Sequence, residues 1–144
     1  MPNQIEISPR TVFLDTNGVR AARGWSADHV NAAIDSGDLL WVFDLSCGRG
    51  KKHLRELRFW FPEIVNSKAV AKLELAEVIL KILPWSRTTF NSSELCQWFL
   101  LSRPTMMRIG RELSGFQKNR MLRVQRAPLA NYLKKHWIGG ALCA

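Results

Sequence analysis

The stretch LSRPTMMRIGREL, residues 101–113, decides how the rest of this sequence is interpreted. Ser102 stands where the N-cap of a helix is expected, and Pro104 suits a first helical turn, where no internal amide bond is needed. The apolar residues that recur at helical spacing, and that we expect to face inward, are Met106, Ile109 and Leu113. The opposite side carries arginines. The stretch therefore predicts an amphipathic helix with a basic outward face.

The positive charge of the chain is concentrated in its second half. The 144 residues include 21 Lys and Arg and 12 Asp and Glu, a net charge of +9. Residues 1–66 hold eight of each sign, whereas residues 67–144 hold 13 basic and only four acidic residues. Such a surplus serves solubility, and it also indicates a polyanionic partner, since binding to one releases condensed counterions.

Composition and residue spacing argue against several classes of protein. A hydrophobic content of 47% and a charged content of 23% are typical of globular proteins. No apolar run reaches the roughly 18–20 residues of a membrane span, and the first ten residues lack a signal-peptide pattern, so we expect a cytoplasmic protein without membrane contact. Three dispersed cysteines and three dispersed histidines predict no disulfide framework and no metal site. We expect neither a cofactor nor an enzyme.

The first half of the chain predicts a short strand, two helices and a hairpin. Asp15 or Thr16 caps the first helix, Ser26 caps the second, and Gly37 ends it. LLWVFDLS and LRELRFW read as strands on either side of CGRGKKH, a basic hairpin tip.

The second half predicts the same order again, about 76 residues later. Ser102 corresponds to Ser26, and Gly115 is expected to end the second helix of this copy. FQKNRMLRV reads as a hairpin, and APLANYLKKHW as a closing helix. Between the halves, residues 67–83 predict one connecting helix, ended by Pro84. Its apolar side is expected to comprise Val70, Leu73, Ala76, Leu80 and Leu83.

Residues 90–137 resemble the winged helix-turn-helix of excisionases and MerR-type regulators, through SSELCQWFLLSRPTMMRIGREL (92–113) and NRMLRVQRAPLANYLKKHW (119–137). The matching features are an acidic and apolar first helix, an apolar-Ser-Arg-Pro-Thr turn, a basic second helix, a wing strand and a closing helix. Residues 14–60 resemble a more divergent copy, through GWSADHVNAAIDSGDLLWVFDLS.

The resemblance implies an α+β, mainly α chain of two tandem winged helix-turn-helix domains joined by a helix. A divergent domain spans residues 10–66, the connecting helix residues 67–84 and a basic domain residues 85–140. An inserted helix reads base edges in the major groove, and a wing approaches the backbone or minor groove. The residues expected to bind DNA are Ser102, Arg103, Thr105, Met107, Arg108 and Arg111 on the helix, and Lys118, Asn119 and Arg120 at the wing tip.

The divergent copy leaves two interpretations open. Its presumed reading helix exposes Asp28 and Asp35, which phosphate repels. This copy either binds DNA through its own wing, with Arg49, Lys51 and Lys52, or serves as a protein-contact module.

The expected function is sequence-specific binding of double-stranded DNA. The resemblance suggests an excisionase-like architectural factor, a transcription regulator or an origin-binding protein of a phage or mobile element, associated with the nucleoid. A homodimer or a cooperative oligomer on DNA fits this role. The alternative is a protein-interaction adaptor that reuses the winged fold.

Overall fold

A computed structural model describes residues 11–45, 56–118 and 120–139 of the chain. These residues are about 54% helical and form two small antiparallel sheets of three strands each. One sheet belongs to each half, so the chain is of the mixed α+β class expected from its sequence.

The described part of the first unit, residues 11–45 and 56–66, contains three strands and three helices. In chain order they are β1 (Phe13–Leu14), α1 (Thr16–Arg23), α2 (Ala27–Ser36), β2 (Val42–Asp44), β3 (Leu57–Trp60) and α3 (Phe61–Val65). The sheet order is β1-β3-β2, with both pairs antiparallel.

The second unit, residues 85–139, repeats this order. Its elements are β4 (Thr89–Asn91), α6 (Ser92–Phe99), α7 (Arg103–Glu112), β5 (Phe116–Lys118), β6 (Met121–Gln125) and α8 (Arg126–Lys135). The sheet order β4-β6-β5 matches that of the first unit. Helices α6 and α7 begin and end 76 residues after α1 and α2, so the repeat expected from the sequence is present in the element order.

Local capping explains why the helices begin at the same places in both units. Asp15 and Asn91 accept hydrogen bonds from backbone amides at the start of α1 and α6, and Ser26 and Ser102 do so for α2 and α7. Each cap satisfies an amide that otherwise has no partner in its helix.

The connecting segment differs from the single helix that its sequence predicts. It forms two short helices, α4 (Ser67–Val70) and α5 (Leu75–Ile82). Glu74 starts the second one with a capping box, in which the Glu77 carboxylate accepts from the Glu74 amide at 3.0 Å. This new start competes with continuation of the first helix.

The interruption also rotates the buried face of the connecting segment. Beyond the break, the buried residues are Val78, Ile79, Ile82 and Leu83, of which Leu83 belongs to the expected apolar side. Leu80 and Ala76, which a continuous helix would place on the apolar side, are exposed instead.

One hydrophobic core joins the two units. Phe13 of β1 and Phe99 of α6 are both buried, and their rings meet edge to face with centroids 5.4 Å apart. A smaller apolar cluster around Val19, Val30 and Phe59 lies within the first unit. The two units are therefore packed as one body.

The C-terminal segment adds a second connection between the units. The Ile138 amide donates to the Val42 carbonyl at 3.0 Å, and the Asp44 amide donates to the His136 carbonyl at 2.9 Å. Trp137 thereby forms an antiparallel bridge with Phe43 on the outer edge of β2. The sequence contains no signal for this pairing, because its partners lie more than 90 residues apart.

Glu63 is a buried carboxylate that holds the start of β2. Its two oxygens accept from the amides of Leu40 at 2.9 Å and Trp41 at 2.8 Å, and 4% of the residue is exposed. Burial raises the pKa of Glu63 above its ordinary value, although both hydrogen bonds and the nearby Arg23 act in the opposite direction.

This raised pKa predicts a pH effect on stability. The stability that the Glu63 carboxyl contributes is complete below the pKa of the unfolded chain, and is lost as pH rises through the folded pKa. We therefore expect wild type to lose stability relative to Glu63→Gln as pH rises above about 4.3, the ordinary pKa of a glutamate. Urea unfolding at each pH measures the difference. Asp35→Asn, which neutralises an exposed carboxylate of α2, is the matched control. The same trend in both variants would contradict the prediction.

Candidate nucleic-acid interface

Helix α7 is anchored on one side and open on the other. Met106 and Ile109 are fully buried, and Leu113 is half-buried against the core. Ser102 caps the first turn, where its hydroxyl accepts from the Thr105 amide at 3.4 Å and donates to the Thr105 hydroxyl at 2.9 Å. The inward face expected from the sequence is therefore present.

The outward face of α7 carries most of the predicted DNA-binding residues, with different exposures. Ser102, Arg103 and Arg111 are exposed, whereas Thr105, Met107 and Arg108 are half-buried. Within the described part of the chain, no carboxylate forms an ion pair with Arg103 or Arg111. Both guanidinium groups are therefore available to an external anion.

Arg108 differs from the fully outward residue that helical periodicity predicts. It is half-buried, and its Nε atom is hidden from solvent without a hydrogen-bond partner in the structure. A hidden donor without a partner is unfavourable by about 1–3 kcal/mol. Because the side chain is half-buried, less of it is accessible to a ligand than at the exposed Arg103 and Arg111. The helical wheel, which counts only residues of the same helix, cannot anticipate this burial.

The hairpin of β5 and β6 lies beside α7. Phe116 pairs with Arg123 and Lys118 pairs with Met121, and Arg120 adopts a left-handed turn conformation with φ of 64°. Lys118 and Arg120 are exposed, as expected for a wing tip. Asn119, together with Arg49, Lys51 and Lys52 of the first hairpin, lies outside the described residues.

Two glycines allow this hairpin to approach the helix. A Cβ added at Gly110 would collide with the Leu122 side chain of β6, so a glycine at this place in α7 permits close packing of the hairpin. A Cβ at Gly115 would lie 2.8 Å from the Gly110 carbonyl oxygen. The sequence predicts that Gly115 ends α7, but the helix ends at Glu112. The left-handed residue that follows it is Ser114, with φ of 56°, and not Gly115.

The corresponding helix of the first unit lacks the cations of α7. At the 76-residue offset, Ala27, Ala32 and Asp35 stand in the places of Arg103, Arg108 and Arg111. Asp28 and Asp35 are exposed, as the sequence indicates. Electrostatics therefore disfavours α2 as a partner for phosphate.

The outer edge of β2 provides a second contrast between the units. That edge is occupied by the bridge between Phe43 and Trp137. No such bridge is present on the equivalent strand β5 within the described residues.

The described residues contain no cluster of three or more His, Cys, Asp or Glu that could hold a metal ion. Burial raises the pKa of the Cys96 thiol above its ordinary value, with nearby Arg103 acting in the opposite direction. Burial also lowers the pKa of His136, which keeps its imidazole neutral at physiological pH. None of the described helices is long and apolar enough to cross a membrane.

Trp85 is a further surface feature, located where α5 gives way to the second unit. Trp85 is 72% exposed, and the Arg126 guanidinium lies 3.9 Å from the centre of the Trp85 ring. A cleft of about 470 Å³ beside it is lined by Trp85, Arg87, Thr88, Thr89, Gln125, Arg126 and Ala127. Because Trp85 follows Pro84, the sequence indicates that it lies just after a helix end. The sequence does not indicate that the Trp85 ring is exposed.

Comparisons with protein-family models, with curated proteins and with solved structures find no significant match to this chain. The function proposed below therefore depends on the surface geometry and the charges described above.

Proposed function

We propose that this chain is a sequence-specific double-stranded DNA-binding protein built from two winged helix-turn-helix units, in which α7 enters the major groove. The observation that carries the proposal is the outward face of α7. Arg103 and Arg111 are exposed there without carboxylate partners, on a helix whose other face is fixed by Met106 and Ile109.

The chemistry of this face suits base and phosphate contacts. A guanidinium can donate two parallel hydrogen bonds to guanine, or grip a phosphate. The first turn of α7 presents backbone amide donors beside the exposed Ser102, and the positive end of the helix dipole favours an anion there.

The hairpin of β5 and β6 supplies the wing of the proposed interface. Lys118 and Arg120 are exposed at its tip, beside the helix that would occupy the groove. Basic side chains in this position meet the strong negative potential of the backbone or minor groove.

Within this proposal, the chain regulates or shapes DNA rather than reacting with it. An excisionase-like architectural factor, a transcription regulator or an origin-binding protein of a phage or mobile element would use such a surface. A homodimer or a cooperative oligomer on DNA would place further reading helices in neighbouring major grooves, about 34 Å apart.

Duplex binding measured at several salt concentrations tests the proposal. A binding site is first selected from random duplexes with the purified chain, and its affinity is then compared with that of a scrambled duplex. If four exposed cations neutralise phosphates, the logarithm of the association constant should fall with log salt concentration with a slope of about −3 to −4. We also expect at least about 1000-fold preference for the selected site.

Equal affinity for the selected and scrambled duplexes would show that binding is electrostatic without sequence reading. No duplex binding at low salt would overturn the proposal and favour the protein-interaction adaptor.

A further inference from the structure

Arg58 of the first unit is buried at the border with the second unit. Only 7% of the Arg58 surface is exposed to solvent. Its Nε atom donates to the Phe99 carbonyl at 2.7 Å, and its Nη2 atom donates to the Leu100 carbonyl at 2.7 Å. The same guanidinium is held on its own strand by the Leu57 carbonyl at 2.8 Å and the Glu56 carboxylate at 2.9 Å.

The two carbonyls that Arg58 binds lie at the turn between α6 and α7. Carbonyls at the end of a helix lack partners within it, so an external donor there fixes both the helix end and the direction of the chain beyond it. Ser102, the cap of α7, follows only two residues after Leu100. Arg58 is therefore attached to the segment that determines where α7 points.

Leu100 itself adopts a conformation that leucine rarely takes. Its φ is 53°, in the left-handed region. The residue at the same position in the first unit is Gly24, which adopts φ of 68° without the steric penalty of a Cβ atom. The α6–α7 turn is thus less favourable on its own than the α1–α2 turn, and the bonds from Arg58 hold it in place.

We propose that Arg58 is a positioning residue for DNA reading, through which the first unit orients α7 instead of reading bases with its own α2. This inference rests on the proposed function. It is supported by the two carbonyl bonds, by the left-handed Leu100 and by the absence of arginines from α2 at the positions equivalent to those of α7.

The contacts at the C-terminal end of the second unit support the same role. The Trp137 indole donates to the Leu40 carbonyl at 2.7 Å, and its ring stacks on Trp41 with centroids 5.1 Å apart. Because the second unit is attached to the first through both α6 and this segment, its orientation on that support is defined at two separate places.

Arg58→Met tests the positioning role, and Arg23→Met is the matched control. Arg23 also donates to two backbone carbonyls, those of Ile64 at 3.0 Å and Glu63 at 3.4 Å, but both lie within the first unit. We expect Arg58→Met to lower the preference for the selected over the scrambled duplex about 10-fold, the effect of losing one bidentate base contact. Affinity for the scrambled duplex should stay within about twofold, since the exposed cations remain.

Both variants are measured at a temperature where circular dichroism shows them folded. Arg58→Lys keeps the charge but not the planar guanidinium, so its preference for the selected duplex should fall less than that of Arg58→Met. It replaces Arg58→Met in the experiment if Arg58→Met does not fold. An unchanged preference in the Arg58 variants would overturn the inference. An equal loss in Arg23→Met would also do so, because the effect would then follow from general weakening of the first unit.

Amide hydrogen exchange without DNA separates this inference from the proposed function. In Arg58→Met, the amides of Leu100 and Leu101, which both donate to the Cys96 carbonyl, should exchange about 10-fold faster relative to Ile109 than they do in wild type or Arg23→Met, reflecting local opening of the turn. If wild type binds no duplex, the proposed function fails and the reading role of Arg58 fails with it. If wild type binds selectively but the exchange ratio is unchanged, only the inference about Arg58 fails.

Discussion

Phe99→Ala should lower the free energy of unfolding by about 3–5 kcal/mol, the usual effect of removing a fully buried phenylalanine ring. Phe99 has no exposed surface, and its ring contacts Phe13 across the border between the units. Because the core is shared, wild type should unfold in one transition, and the variant in one transition at lower urea concentration. Urea titration followed by far-ultraviolet circular dichroism and by tryptophan fluorescence measures both quantities.

Phe116→Ala is the matched control for this substitution. The same ring is removed, but Phe116 lies on β5 and is 38% exposed. Less apolar surface is returned to water and no closed cavity forms, so the loss should be about 1 kcal/mol. Two separate transitions in wild type would contradict a core shared between the units. Equal losses in the two variants would contradict the burial of Phe99 at their border.

The double variant Arg103→Ala and Arg111→Ala should bind the selected duplex about 100-fold more weakly, since each good bidentate contact contributes about 1–3 kcal/mol. Because two cations are lost, the slope of the logarithm of the association constant against log salt concentration should become less negative by about 2. Both side chains are exposed, so the fold should be retained. Fluorescence anisotropy with the selected and scrambled duplexes, at matched salt concentrations, gives affinity, preference and slope. Arg108 is left unchanged because its half-buried side chain would confuse loss of binding with loss of packing.

Lys68→Ala with Lys72→Ala controls for net charge. Both lysines are exposed in the segment between the units, so this variant also loses two positive charges. If DNA binds on α7, the control should keep its preference for the selected duplex and lose only a small part of its affinity. Equal losses in the two double variants would mean that total charge governs binding, and would refute the assignment of α7 as the reading helix.

Features that depend on residues close in sequence could be predicted from the sequence. Ser26 and Ser102 were expected as caps, and both accept an amide three residues later. The inward positions of Met106 and Ile109 follow from a spacing of three residues, and the buried positions of β6 follow from a local alternation. The 76-residue offset of the helices was visible because matching caps recur at that distance.

Features that depend on contacts between distant segments required the tertiary structure. The sequence around Arg58 does not indicate that its guanidinium binds the Phe99 carbonyl, which lies 41 residues away. Likewise, the sequence around Trp137 does not indicate that its indole binds the Leu40 carbonyl, 97 residues away. The burial of Arg108 is likewise invisible to helical periodicity.

The sequence by itself determined where α1, α2 and α7 start, which faces of α2 and α7 turn inward and where the positive charge is concentrated, because caps, periodicity and charge act over a few residues. Only the tertiary structure decided that the connecting segment breaks at Glu74, that one core joins the units, and that Arg58 holds the turn before α7. These features arise when segments far apart in the chain compete to bury apolar surface and to satisfy backbone hydrogen bonds, and that competition is resolved by three-dimensional packing.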